Sequence, residues 1–379
     1  AMRVGLVLGG GGVMGGAWLT GGLDALARET GWDPADADYV VGTSAGSMIG
    51  ALCASGIPPW FMVAHSFGES FEGVVDAYGR PASNADRSGG AVYRLHWGLP
   101  SLGPGSWRLA LRSIANPTRY SRATVLTGWL PKGMISTQPL ADQIRLVVPE
   151  GWSPHPGLWM VACDYATGKR VVFGREDAPT ADLADAVAAS CAIPGFYHPV
   201  TIGDRRYVDG GIRSASNLDV LRGRELDLVI CLNPTSTLHP VRAALSPTAA
   251  FRLLMNRESG HRLGGEAKKL RAEGADVLLI QPTRDDLAVM GNNLMSSARR
   301  NEAIAMAQRT VAAQLRDPRH AELLADLPQG APEKVRRPDD QPPSRWPRLR
   351  ELKERIGGRS ADGDGAGPRV VSERAAERS

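Results

Sequence analysis

The sequence predicts an α/β protein, and two observations carry that expectation. Short apolar runs rich in Val, Ile and Leu recur at 3–8, 39–41, 159–163, 170–173, 226–232 and 275–281, each of strand length and bounded by turn residues. Between them stand segments whose apolar residues repeat with helical period, and twice a strand-like run passes through glycines directly into such a segment. With 379 residues the chain can form one large domain or two small ones and bury a sizeable core.

The first run, Arg3 to Leu8, leads into Gly9-Gly10-Gly11-Gly12-Val13-Met14-Gly15-Gly16. A helix is expected from Ala17 to Arg28, with Trp18, Leu19, Leu23 and Leu26 on its apolar side. A glycine-rich turn between strand and helix leaves several peptide N–H groups able to converge on an anion. Gly10, Gly12 and Gly15 also satisfy the G-x-G-x-x-G dinucleotide pattern, which needs an acid at the end of the next strand to hold a ribose. Here the next strand ends in Gly42-Thr43-Ser44, with no acid.

That second strand, Tyr39 to Val41, runs into Gly42-Thr43-Ser44-Ala45-Gly46-Ser47 and then a helix-like stretch from Met48 to Ser55. Strand, sharp turn and helix is the setting in which Gly-x-Ser-x-Gly presents a nucleophilic serine, its hydroxyl pushed clear of the chain. Gly42 and Gly46 flank Ser44 because a Cβ there would meet the neighbouring strand or helix. The alternative is a plain surface Gly/Ser turn. If the two strand ends lie side by side, the amides of the glycine loop face the Ser44 hydroxyl as an oxyanion hole.

Tyr39 to Gly68 holds no Asp, Glu, Lys or Arg. Gly42, Gly46, Gly50, Gly56 and Pro58-Pro59 interrupt it, so buried core is expected rather than a membrane span. Pro58-Pro59 opens a second helix reaching to about Phe71, in which Phe61, Met62, His65 and Phe67 are read as packing residues. Residues 75–132 are irregular and rich in Gly, Pro and Trp. No acid occurs between Arg87 and Ala141, while Arg87, Arg94, Arg108, Arg112, Arg119, Arg122 and Lys132 alternate with Tyr93, Trp97, Trp107, Tyr120 and Trp129. Basic plus aromatic residues is the composition of a membrane interface, so the segment is expected to cap the site and meet an anionic membrane. The plainer alternative is a solvated loop with scattered core tryptophans.

Further on, a helix is expected over Leu140 to Val147. A hairpin follows through Asp164-Tyr165-Ala166-Thr167-Gly168-Lys169, and then an alanine-rich helix from Leu183 to Ser190. Arg206-Tyr207-Val208-Asp209-Gly210-Gly211 reads as a strand ending in an acid and two glycines, which exposes that carboxylate at a crowded place; an ordinary Asp-Gly turn is the alternative. Helices are expected at Asp219–Arg224, Gly260–Glu273 and Ser296–Leu315. From about Pro328 the composition turns to Pro, Arg, Asp and Gly, an expected tail in which Trp346, Leu349, Leu352 and Ile356 share one side of a short helix.

Net charge is +4 and pI about 9.0, compatible with an anionic surface but too mild to argue for nucleic acid. Cys53, Cys163, Cys191 and Cys231 show neither metal spacing nor a disulfide framework, which favours a reducing compartment. No secretory leader is expected before the first strand, so the expectation is a cytoplasmic protein with peripheral membrane contact. No metal or cofactor is expected, and the sequence leaves the oligomeric state open.

Four features, in this order, resemble the patatin-like phospholipase family: the glycine loop Gly9 to Gly15, Gly42-Thr43-Ser44-Ala45-Gly46, Ala188-Ala189-Ser190-Cys191-Ala192-Ile193-Pro194-Gly195-Phe196, and Asp209-Gly210-Gly211. The resemblance spans about residues 3 to 315. It implies a three-layer α/β/α fold with a mostly parallel central sheet, and a Ser/Asp dyad acting on acyl-lipid esters. By motif match it makes Ser44 the nucleophile, Asp209 the base and Gly10, Gly11 and Gly12 the oxyanion donors, with Gly15, Gly42, Gly46, Gly210 and Gly211 completing the motifs. A hydrolase domain over 1–315, with 75–132 as cap and 316–379 as a largely disordered extension, follows from it. One position departs: Met14 stands where the family usually has arginine. Two rivals stay open, a Ser-His-Asp esterase using His239, His261 or His320, and a non-catalytic lipid- or protein-binding module.

Overall fold

The computed structural model describes residues 2–69, 75–80, 93–96, 103–115, 120, 122–236, 260 and 262–337. The apolar run β1 (Val4–Leu8) alternates between two cores as a pleated strand must. Val4, Leu6 and Leu8 enter one hydrophobic cluster and Val7 enters the other. It pairs in parallel with β2 (Tyr39–Thr43) on one side and β9 (Leu228–Leu232) on the other. β10 (Asp276–Ile280) extends the parallel set beyond β9, and β5 (Leu158–Asp164) extends it beyond β2. β8 (Arg205–Asp209) then pairs antiparallel with β5, and β7 (Val200–Ile202) with β8. The spatial order is β10-β9-β1-β2-β5-β8-β7, with β6 (Arg170–Phe173) folded back on β5 as the expected hairpin. The Asp164 carboxylate builds that turn by accepting from the amides of Ala166 and Thr167 at 2.9 and 2.8 Å.

Helices cover both faces, giving the three layers. On one side lie α1 (Gly12–Thr30), α2 (Ala45–Ala54), α3 (Pro59–Ser66), α6 (Gln138–Arg145) and α7 (Leu183–Ser190), with α9 (Arg284–Met290) and α10 (Arg300–Leu315). On the other, Leu263, Ala267 and Leu270 of α8 (262–272) pack with Leu218 and Leu221 against Val7, Val41 and Trp159. α4 (Trp107–Ala115) and α5 (Arg122–Trp129) pack on each other in the expected cap region, where β3 (Arg94–Leu95) and β4 (Ile135–Ser136) form a small separate ladder. This region is tied to the rest of the fold where Ser106 Oγ donates to the Tyr165 carbonyl at 2.7 Å.

Several boundaries differ from the sequence expectation. α1 starts at Gly12 rather than Ala17, because the Met14 amide finds the Leu294 carbonyl (2.9 Å) and the Gly15 amide finds that of Gly11 (2.9 Å). α10 starts at Arg300 rather than Ser296, α6 lies two residues earlier than expected, and Asp219–Arg224 is a 3-10 turn over Leu218–Leu221. Order continues past 315: α11 (Pro318–Leu324) and α12 (Pro332–Val335) each carry proline in the first turn, where a missing N–H costs nothing. The Trp60 indole donates to the Glu333 carbonyl and the Gly330 amide to that of Gly31, both at 2.8 Å, so residues up to Arg337 belong to the body. The short helix expected around Trp346 lies outside the described residues, as do Arg87, Trp97, Arg119, His239 and His261.

Candidate active site

β1 and β2 end side by side, and the turn after β2 carries Ser44. Its backbone sits at φ 53° and ψ −124°, in the left-handed half of conformational space where a Cβ is strained; such a residue costs about 1–3 kcal/mol and persists only when its surroundings hold it. The holding contacts are specific. The Ser44 amide donates to Ser190 Oγ at 2.9 Å, and that hydroxyl in turn donates to the Val161 carbonyl at 2.6 Å. The Ser44 carbonyl accepts from Ser47 Oγ at 2.6 Å and from Cys191 Sγ at 3.2 Å. Burial and the nearby Asp209 charge push the Cys191 thiol up to about 12, which keeps it protonated and a donor. Gly42 and Gly46 are sterically required: a Cβ on the first would meet Ser47 Cα at 2.5 Å, and one on the second would strike the Leu8 carbonyl.

Register brings the acid to the serine. Thr43 pairs with Val161 and Asp209 with Ala162, so adjacent rungs of β5 carry Ser44 and Asp209 to one point. The Asp209 carboxylate accepts from the Gly211 amide at 2.7 Å, and the Ser44 side chain stands near enough to favour its charged form. Burial pushes its pKa up to about 6, against the opposing effect of the Ser44 side chain and the Gly211 amide. A Cβ on Gly210 would strike the Val161 carbonyl, and one on Gly211 would press to 2.9 Å of Asp209 Oδ1.

The glycine loop lies beside Ser44, since a Cβ on Gly10 would come within 3.1 Å of Ser44 Cβ. Of the three amides expected to face the site, that of Gly10 is taken by the Ala215 carbonyl at 2.8 Å. Those of Gly11 and Gly12 make no hydrogen bond among the described residues and open α1, whose N-terminal end favours negative charge. Gly12 has φ 62°, a conformation that suits glycine. Met14, by contrast, is fully buried in the core and does not line the site. The cavity over Ser44 encloses about 150 Å³, and its walls are mostly apolar, among them Met48, Leu52, Met62, Leu140 and Ile193.

Sequence reasoning missed Asn217. Its Nδ2 donates to Thr43 Oγ1 at 3.1 Å, to the Gly210 carbonyl at 3.4 Å and to the Ser214 carbonyl at 2.6 Å. One amide thus ties the residue before Ser44 to the residue after Asp209, and no local pattern announces it. Asn217→Ala should leave the Ser214 carbonyl without its donor, while the Gly210 carbonyl keeps the Arg213 amide, and lower stability by about 1–3 kcal/mol, read as a shift in the urea midpoint. Among the described residues, His320 on α11 binds the Gln314 carbonyl of α10, away from the Ser44 cavity, while His65 lines that cavity, stacked on Phe61.

A strained serine at a strand-to-helix turn, a buried carboxylate on the neighbouring strand and an apolar cavity thus stand together on an α/β/α frame. The family model of patatin-like phospholipases matches residues 6–222, more than half of the chain, and the chain belongs to this lipid acyl hydrolase family. No helix of the described residues is long and apolar enough to cross a membrane.

Proposed function

We propose that the protein hydrolyses the ester bonds of lipids through a Ser44–Asp209 dyad and an acyl-enzyme on Ser44. The observation that carries this is the register of β2, β5 and β8, which brings Ser44 and the buried Asp209 to adjacent rungs of β5 with no imidazole of the described residues between them. A solvated aspartate, with pKa about 3.9, is a weak base for a hydroxyl. At about 6, Asp209 is a stronger base and is still ionised at neutral pH. Asp209 takes the Ser44 proton as Oγ attacks the ester carbonyl, and the Gly11 and Gly12 amides receive the charge that develops on the carbonyl oxygen. The protonated Asp209 then gives its proton to the departing alcohol. Water, activated by the same carboxylate, releases the fatty acid. The apolar cavity suits the acyl chain.

In this reading residues 75–132 act as a cap and the hydrolase domain runs through α10, with the segment to Arg337 packed on it. An active-site-directed fluorophosphonate should label wild type at Ser44, seen as the mass shift of the peptide that carries it, and should leave Ser44→Ala unlabelled. Absence of label on the folded wild-type chain would favour the binding-module reading instead.

A further inference from the structure

Eight of the ten large hydrophobic side chains exposed among the described residues lie between Tyr93 and Met134. Three of them, Trp107, Leu111 and Ile114, stand 60%, 59% and 62% exposed at i, i+4 and i+7 of α4, on one helical face. The opposite side of the helix is already used: Leu109, Ala110 and Ser113 are buried, Leu109 and Ala110 close to Gly128 of α5. Leu126 and Trp129 of α5 are exposed as well. Helix α4 therefore has two apolar faces, and only one of them is covered.

Charge indicates what covers the other. Arg108 and Arg112, both exposed, border one side of the apolar stripe, and Arg112 also lines a cleft of about 1170 Å³ that shares no lining residue with the Ser44 cavity. Six cations and two acids line this cleft. Arg170 and Arg175 are committed to Asp219 and Asp177, and Arg205 reaches Asp164 at 3.4 Å. Arg112, Lys169 and Arg213 have no ion pair among the described residues. An exposed apolar stripe edged by arginines and opening onto a basic cleft complements a surface with apolar depth and anionic heads, which is an anionic bilayer.

We infer that α4 docks the protein on anionic lipid membranes: Trp107, Leu111 and Ile114 enter the interface, and Arg112 with Lys169 draws phosphate headgroups into the neighbouring cleft. This deepens the lipid-hydrolase reading and rests on it for its purpose, since the docked chain would meet its substrate at the surface where that substrate resides.

Vesicle flotation of the full chain tests it, using phosphatidylcholine alone and an equimolar mixture with phosphatidylglycerol. Turnover of a soluble short-chain ester is measured in parallel. Wild type should float with the mixed vesicles and much less with the neutral ones. Trp107→Ser/Leu111→Ser/Ile114→Ser should weaken binding by about tenfold or more. Arg112→Gln/Lys169→Gln should weaken it by about twentyfold at low salt, about fivefold per cation. Both variants should turn over the soluble ester at the wild-type rate. The inference is overturned by equal flotation with neutral vesicles, by no flotation of wild type, or by unchanged binding of both variants. Retention on an oligonucleotide without flotation, or a wild-type dimer that the triple substitution dissociates, would also overturn it by giving the face to another partner. Failure of wild type to hydrolyse the soluble ester while still floating would count against the dyad and not against the docking face.

Discussion

Ser44→Ala should lower kcat on a soluble ester by about 10⁵–10⁶, the scale seen when a hydrolase loses its nucleophile, with the fold intact. The neighbouring hydroxyls are committed, Ser47 Oγ to the Ser44 carbonyl and Ser190 Oγ to the Val161 carbonyl. Cys191, the nearest thiol, is held protonated by burial and spends its hydrogen on the Ser44 carbonyl. A second substitution separates chemistry from strain. Ser44→Gly should be equally inactive yet more stable than Ser44→Ala by about 1 kcal/mol, because glycine accepts φ 53° without the Cβ penalty. Thermal melts of the two variants read this difference. Equal stability would mean that the turn stores no strain at Ser44.

Asp209→Asn should cost about 10²–10⁴ in kcat, the usual contribution of a general base. The amide can still accept from the Gly211 N–H, so the loss falls on proton transfer and not on the shape of the turn. Stability should move the other way. With its pKa at about 6, Asp209 holds a proton in the folded chain over a range, from about pH 4 to 6, where the unfolded chain has released it. The folded state binds more protons there, so the contribution of Asp209 is fully present below about pH 4 and is lost as pH rises through about 6. Above that the buried carboxylate costs on the order of 3 kcal/mol, an upper figure from the two-unit shift. Asp209→Asn is therefore expected to be the more stable protein at pH 8 and to lose that advantage by pH 4, as urea midpoints at the two values would read.

Much of the site was legible in the sequence because its local geometry is encoded locally. A β-branched run ending in Gly-x-Ser-x-Gly before a helix-like stretch specifies strand, tight turn and helix, and the Cβ collisions at Gly42 and Gly46 are the physical reason for those glycines. The meeting of Ser44 with Asp209 was not readable in that way. It depends on β8 turning antiparallel to β5 in one register, which no pattern around Asp209 states. Asn217 went unseen for the same reason, and so did the Ala215 carbonyl that removes the Gly10 amide from the expected oxyanion site. The early start of α1 was hidden because glycine has little helix propensity; tertiary partners such as the Leu294 carbonyl supply what the local sequence lacks. Beyond 315 the prolines read as tail residues, yet Pro318 and Pro332 each open a short helix that packs on the body.

The pH dependence of Ser44 phosphonylation by a fluorophosphonate tests the dyad most directly, because it reads the base in the free protein. The rate constant should rise with pH through one ionisation near 6, and Asp209→Asn should be slow with that step gone. A step that survives in Asp209→Asn and disappears when His65 is replaced would contradict the dyad and assign the base to an imidazole.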